Sequence, residues 1–351
     1  MITDSDRNLI HAALRQYDLG HLHEAVHHAG TAAKTWRVTT DSGTFLLRTR
    51  GSRTSGPDLI DYDHALRRHL LAAGIPTAAP LPTRDGSSYT RVGDRALELY
   101  AIVPGATLAT AGLAEIAAAA RALAAFHAAA ASFPLAHTLL PVAQYRTLGF
   151  EQTSGRMEDP ELLQRVYAGL AATPGVALYA PALTLARAWL DRLRHRLDDT
   201  AYACLPHTVT HGDFTLANLL FLNGLLTGVF DFDWARWAPR LRDLADGMLF
   251  VSGQRRTPLI AADIWSLTEA VDLSVARCAH WLRSYEEGAP LTDAELACLP
   301  LAFAARWLSV RVEGMAKVPE ADRLRFALGN LAGPLEWLEA NWPAVLAARR
   351  S

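Results

Sequence analysis

The chain predicts an α+β fold, as one large domain or two lobes, and three observations carry that prediction. Residues 23–103 contain short runs of β-prone side chains separated by turn residues such as Asp41-Ser42-Gly43, Asp85-Gly86 and Gly93-Asp94, a pattern of antiparallel strands. From about residue 106 the composition changes to alanine- and leucine-rich stretches with helical spacing. Within the helical part, one stretch at 207–244 returns to a hairpin pattern and carries Asp213, Asn218 and Asp231. Strands first and helices after is the order expected of α+β chains. The expected boundary follows Val103, giving an amino-terminal lobe over 1–103 and a carboxy-terminal lobe over 104–351.

The elements follow in order. Residues 4–17 predict a short amphipathic helix, and 23–29 are β-prone. Gly30-Thr31-Ala32-Ala33-Lys34-Thr35 is a small-residue turn, followed by strands at Trp36–Thr39 and Thr44–Arg48. A helix is expected over 58–73, stopped by Gly74 and Pro76. Residues 77–103 predict two more strands, the last ending at Pro104-Gly105. Residues 111–131 predict an alanine-rich core helix with Leu113, Ile116, Ala120, Leu123 and His127 near one stripe, and Glu115, Arg121 and His127 argue against a membrane span. Residues 132–160, rich in breakers and polar groups, predict a short helical insertion or a mobile segment. Helices are expected over 161–172 and 180–200, and the remainder, 260–348, is expected to be all-helical.

Composition narrows the function classes. With 351 residues, half of them hydrophobic, the chain can build a sizeable core. The 34 basic and 36 acidic side chains nearly balance, and no basic run predicts a nucleic-acid or acidic-membrane partner. Cys204, Cys278 and Cys298 form no disulfide or metal pattern, as expected in a reducing cytoplasm. The acidic, polar start is no secretory signal. Neither Gly-x-x-x-x-Gly-Lys-Ser/Thr nor Gly-x-Ser-x-Gly occurs.

The stretch at 207–244 carries the chemistry. Thr208-Val209-Thr210 is β-prone and leads into His211-Gly212-Asp213. Leu219-Leu220-Phe221, the turn Asn223-Gly224 and Thr227–Phe230 predict a tight hairpin. That hairpin brings Asn218, just before it, near Asp231, just after it. An amide oxygen and a carboxylate are hard ligands that suit Mg2+. Asp213 is within reach of a hydroxyl beside the metal as a general base. A loop Asp, an Asn five residues on and a second Asp beyond a hairpin are the parts of a phosphoryl-transfer site.

The spelling His211-Gly212-Asp213 and Asp231-Phe232-Asp233 resembles the aminoglycoside phosphotransferase and choline kinase superfamily, most closely its homoserine kinase type II-like branch. The resemblance covers most of the chain. It implies a protein-kinase-like fold, with ATP and Mg2+ between the lobes and a small-molecule hydroxyl as phosphate acceptor. By that resemblance Gly30 and Thr31 cover the phosphates, while Ala101 and Val103 bind the adenine edge through their backbone. The phosphate-pairing lysine is replaced by Arg48, whose expected partner on the following helix is Asp63. Asp243 is expected to order the catalytic loop, and His127 to make a structural hydrogen bond in the core. His211, Asp233, Trp234 and Trp237 are further candidates beside the metal or substrate, with Asp233 best read as supporting the site. Homoserine or a similar amino alcohol is the acceptor that the resemblance favours. An aminoglycoside or sugar is the alternative, for which Glu158, Asp159 and Glu161 offer an acidic run. A Ser/Thr protein kinase and a non-catalytic nucleotide-binding protein are the readings of another class.

Overall fold

The computed structural model describes residues 2–28, 34–51, 54–138, 156, 158–257, 259–260 and 263–350. Gly30 and Thr31, and residues 139–155 of the expected insertion, lie outside the described residues. The fold is α+β, as expected.

Helix α1 (Asp4–Leu14) starts at a capping box in which the Thr3 hydroxyl accepts from Asp6 N at 3.2 Å. Strands β1 (Leu22–His28), β2 (Thr35–Thr40) and β3 (Gly43–Thr49) form an antiparallel meander. Helix α2 (Pro57–Ala72) follows, with Pro57 at its first turn, where a missing N–H costs nothing. Strands β4 (Thr90–Val92) and β5 (Arg95–Ala101) complete a sheet of order β1-β2-β3-β5-β4. Residues 77–103 thus hold two strands, as expected, and both flank Gly93-Asp94; residues 77–89 carry no strand, and Thr83 N bonds back to Ser87 O at 2.8 Å to close the turn at Asp85-Gly86. One sheet face buries Trp36, Val38, Leu47, Leu97 and Leu99 against Leu9, Ile10 and Ala13 of α1. Side chains two apart on an extended strand share a face. Arg48 and Arg50 therefore lie together on the face opposite Leu47.

The link after β5 is fastened to the helical part. Gly105 has φ +134°, and a Cβ there would come within 2.5 Å of Thr227 Oγ1 and 3.1 Å of Phe221 O. Only glycine lets the backbone pass this closely. Thr227 Oγ1 donates to Pro104 O at 2.6 Å, and Ala106 and Phe221 exchange backbone hydrogen bonds at 3.0 and 2.9 Å.

Helices α3 (Leu113–Ala130), α4 (Pro160–Leu170), α5 (Ala180–Arg196) and α6 (Asp199–Cys204) come next. The chain then forms β6 (His207–Thr210), β7 (Leu219–Leu222), β8 (Leu225–Val229) and β9 (Arg236–Pro239), with β6 paired to β9 and β7 to β8. Helix α7 (Leu241–Gly247) continues into a π-helical turn at Met248–Ser252. A two-stranded ribbon, β10 (Gln254–Arg255) with β11 (Val271–Asp272), precedes α8 (Val275–Glu286), α9 (Asp293–Met315), α10 (Arg323–Leu328) and α11 (Ala332–Arg349). By length and composition α3 alone among the described helices could cross a membrane. In the fold its Ile116, Ala120, Leu123 and Phe126 are wholly buried in the helical core.

Candidate active site

The hairpin that organises the site forms as its sequence requires. Asn223 and Gly224 have φ of 51° and 78°, the left-handed pair of a type I′ turn between β7 and β8. Phe230 N donates to Asn218 O at 2.9 Å, closing the open end of the hairpin and setting Asn218 beside Asp231. Asp231 itself is left-handed, with φ 64°, a conformation costly for most side chains and less so for Asp. Backbone strain of this kind concentrates at functional sites.

The first residues of the loop after β6 are held by a buried carboxylate. Asp243, at the start of α7, accepts from His211 N at 2.6 Å and Gly212 N at 2.9 Å. It also faces His127 Nε2 at 3.0 Å, and His127 Nδ1 meets the Tyr285 hydroxyl at 2.8 Å. Burial pushes the Asp243 carboxyl up, but the His127 hydrogen bond and nearby His211 and Arg242 outweigh it, holding Asp243 below the usual carboxylate range. Gly212 has φ +82°, and a Cβ there would sit 2.4 Å from Trp234 O. His211 Nδ1 accepts from Asp213 N at 3.2 Å, so Nε2 carries the proton and donates to Phe230 O at 2.8 Å. One imidazole thus ties the Asp213 loop to the end of the hairpin.

These restraints fix the Asp213 carboxylate. Its Oδ2 accepts from Asn218 Nδ2 at 2.9 Å, and its Oδ1 from Arg306 Nη2 at 3.1 Å. The Asn218 amide also donates to Asp213 O at 2.8 Å, which turns its Oδ1 away from Asp213. Arg306, on α9, is anchored through Nε to Asp246, and Asp246 accepts from Phe214 N at 3.2 Å and Arg242 Nη1 at 3.1 Å. Burial and the Asp246, Glu313 and Asp213 carboxylates act on Arg306 in opposite senses, and the carboxylates prevail, securing its charge.

On the sheet side the expected Arg48–Asp63 pair does not form. Arg48 Nη2 donates to Asp231 Oδ1 and to Asp233 Oδ2, both at 3.0 Å. Asp63 instead pairs with Arg50 and with Arg67, the latter at 2.7 Å. The reason is the strand's period of two: Arg50 shares a face with Arg48 and reaches both Asp63 and Glu98, leaving Arg48 to the cleft. Glu98 is fully buried. Burial raises its carboxyl, but Arg50, His64 and Arg48 pull it well below the usual range. Asp233 accepts from Arg48, from Arg50 at 3.3 Å and from the Thr54 hydroxyl at 3.2 Å. Its burial and the like charge of Asp231 outweigh the arginines and raise its carboxyl.

Arg48, Asp213, Asn218, Asp231, Asp233 and Trp234 line one cleft of about 430 Å³ between the sheet side and α9. A smaller cavity of about 150 Å³ continues from Asp213 past Arg306 to Glu313. Trp237 lies elsewhere, on β9, its ring 4.2 Å from that of His137 and 6.1 Å from that of His207. Ala101 ends β5, exposed, and Val103 is half-buried in the link beyond it. The acidic run is used locally: Glu158 pairs with Arg242 at 2.8 Å and Asp159 caps α4. Arg50, Glu98, Asp246, Arg306 and Glu313 were not singled out from the sequence. Arg50 alone had a signal there, an arginine two residues from Arg48 on one strand face.

The model of the phosphotransferase enzyme family matches residues 24–291. Homoserine kinase of Bradyrhizobium sp. (strain BTAi1) is 28% identical over 330 residues, covering 93% of this chain and 88% of that one. Among solved structures, a microcompartment-associated aminopropanol kinase superposes with a TM-score of 0.69 at 18% identity, over 97% of this chain and 98% of that one. An amicoumacin kinase in complex with AMP-PNP and Ca2+ does so with a TM-score of 0.60 at 16% identity, over 97% and 94%. With the family model spanning most of its length, this chain belongs to the phosphotransferase enzyme family.

Proposed function

We propose that the chain is an ATP- and Mg2+-dependent kinase that phosphorylates the hydroxyl of homoserine or a similar small amino alcohol. The observation that carries the reaction is the convergence of Asp213, Asn218, Asp231 and Arg48 on one cleft. The acceptor rests on similarity to homoserine kinases along nearly the whole chain.

In this reading Asp213 orients the acceptor hydroxyl and takes its proton. The hydroxyl oxygen bonds to the γ-phosphorus, the bond from that phosphorus to the bridging oxygen breaks, and ADP leaves. Asn218 Oδ1 and the Asp231 carboxylate form a hard-oxygen donor pair that fits Mg2+, with phosphates and water as further ligands. A guanidinium, that of Arg48, already bridges Asp231 and Asp233, so these carboxylates favour a cation. Mg2+ bound there supplies neutralisation of the phosphate charge. With a cation on Asp231, the Arg48 guanidinium would be available to phosphate oxygens, which a guanidinium can bind bidentately. Ala101 and Val103 remain the proposed adenine contacts, and Gly30 and Thr31 the proposed cover of the phosphates. Asp243 and His211 act through position, by fixing the Asp213 loop.

The test is ADP release from Mg-ATP with homoserine, choline, hexoses, methylthioribose and several aminoglycosides, alongside Asp213→Asn. Turnover with homoserine or a related amino alcohol, lost in the variant, is the expected result. Turnover confined to sugars or aminoglycosides would overturn the acceptor assignment and leave the kinase reading standing.

A further inference from the structure

Arg306 is almost wholly buried, and two of its three nitrogens are committed, Nε to Asp246 and Nη2 to Asp213. The third, Nη1, is sealed from solvent and has no hydrogen-bond partner among the described residues. Glu313 Oε1, nearly two helical turns further along α9, is in the same state. Nη1 and Glu313 Oε2 are 3.8 Å apart, too far for a hydrogen bond. Both side chains line the small cavity that opens beside Asp213, together with Gly212, Trp234 and Lys317. A buried donor and a buried acceptor left unmade are costly, and proteins rarely retain them without a use. Here the two side chains are of opposite charge and line one cavity, and that cavity begins at the carboxylate proposed to receive the acceptor hydroxyl.

We propose that Glu313 and Nη1 of Arg306 form the acceptor subsite, in which Glu313 binds the ammonium and Arg306 the carboxylate of an amino-acid alcohol whose hydroxyl lies at Asp213. The proposal rests on the kinase reading above and names the head group that the site selects. Homoserine has the right shape, with three carbons between its hydroxyl and its ammonium and the carboxylate on the third. Burial pushes the Glu313 carboxyl up in spite of Arg306 and Arg242, and a substrate ammonium beside it would favour its charged form. A hexose offers neither charge, and a polycationic antibiotic offers no carboxylate for Arg306.

Steady-state kinetics with homoserine, 3-aminopropan-1-ol and 4-hydroxybutyrate separate the two contacts, because the second compound lacks the carboxylate and the third lacks the amine. The wild-type chain should prefer homoserine to each by about tenfold or more in kcat/KM. Glu313→Gln should raise KM for the two amines about tenfold, hold kcat within about threefold, and leave 4-hydroxybutyrate unchanged. An equal effect on all three compounds would make Glu313 a structural prop for Arg306 and overturn the proposal. The wild-type comparison needs no variant: equal use of homoserine and 4-hydroxybutyrate, or a preference for hexoses, would overturn the proposal while the kinase reading stands. Bound ATP with no phosphorylation of any amino alcohol would overturn the acceptor reading and this subsite with it.

Discussion

On the sheet side of the cleft, three arginines and four carboxylates meet almost entirely through side chains: Arg48, Arg50 and Arg67 with Asp63, Glu98, Asp231 and Asp233. On the helical side the order is reversed. Asp243 and Asp246 grip the backbone N–H groups of His211, Gly212 and Phe214, and only then does a single arginine, Arg306, reach Asp213. The first arrangement can exchange partners without moving the chain, as a site that admits and releases nucleotide requires. The second can change only if the backbone changes, which suits a group that must stay aligned with the acceptor.

Variants can break this comparison at several points. The largest loss is expected from Asp231→Ala, which removes the proposed metal carboxylate and should lower kcat about a thousandfold or more at saturating Mg2+. Gly212→Ala should come close to it, because its Cβ would collide with the Trp234 carbonyl and displace the Asp213 loop. Its signature is lost activity with near-normal ATP binding by calorimetry. Arg306→Lys keeps the charge but not the fork that joins Asp246 to Asp213, and kcat should fall about 10- to 100-fold. If Arg306 acts on kcat through Asp213, the double variant with Asp213→Asn should have a kcat at saturating acceptor no lower than that of Asp213→Asn alone. On the exchangeable side, Arg48→Ala should raise KM for ATP about tenfold with a smaller change in kcat. Unchanged constants there would remove Arg48 from the reaction.

A smaller effect concerns stability and pH. The folded Asp243 carboxyl titrates below its unfolded value, so its contribution is present above the ordinary Asp range and is lost as pH falls through the folded value. Asp243→Asn should therefore cost about 3 kcal/mol in urea unfolding at pH 7 and progressively less below about pH 4. A deficit independent of pH would mean that the charge of Asp243 contributes nothing.

How much of this was legible in the chain follows from the range of each interaction. The hairpin was legible because its determinants are adjacent: Asn223-Gly224 sets the turn, and Asn218 and Asp231 then follow from strand length. The grip of Asp243 on the loop was anticipated by resemblance, and so was the structural hydrogen bond of His127. Arg306 was not. It reaches Asp213 across 93 residues and Asp246 across 60, and on α9 it reads as one more polar position in an apolar helix. The Arg48–Asp63 error has the same origin. Alternation told that Arg48 and Arg50 share a face, but the choice between Asp63 and the hairpin carboxylates depends on how α2 and the hairpin are placed. Long-range ion pairs leave no periodic trace, so both halves of the site held by arginine became visible only in three dimensions.

The most direct test of the account is 31P NMR of a reaction containing the chain, Mg-ATP and homoserine. A phosphate monoester of homoserine should grow in step with ADP and be absent with Asp213→Asn. Orthophosphate as the sole phosphorus product besides ADP, or undiminished ester formation by Asp213→Asn, would contradict it.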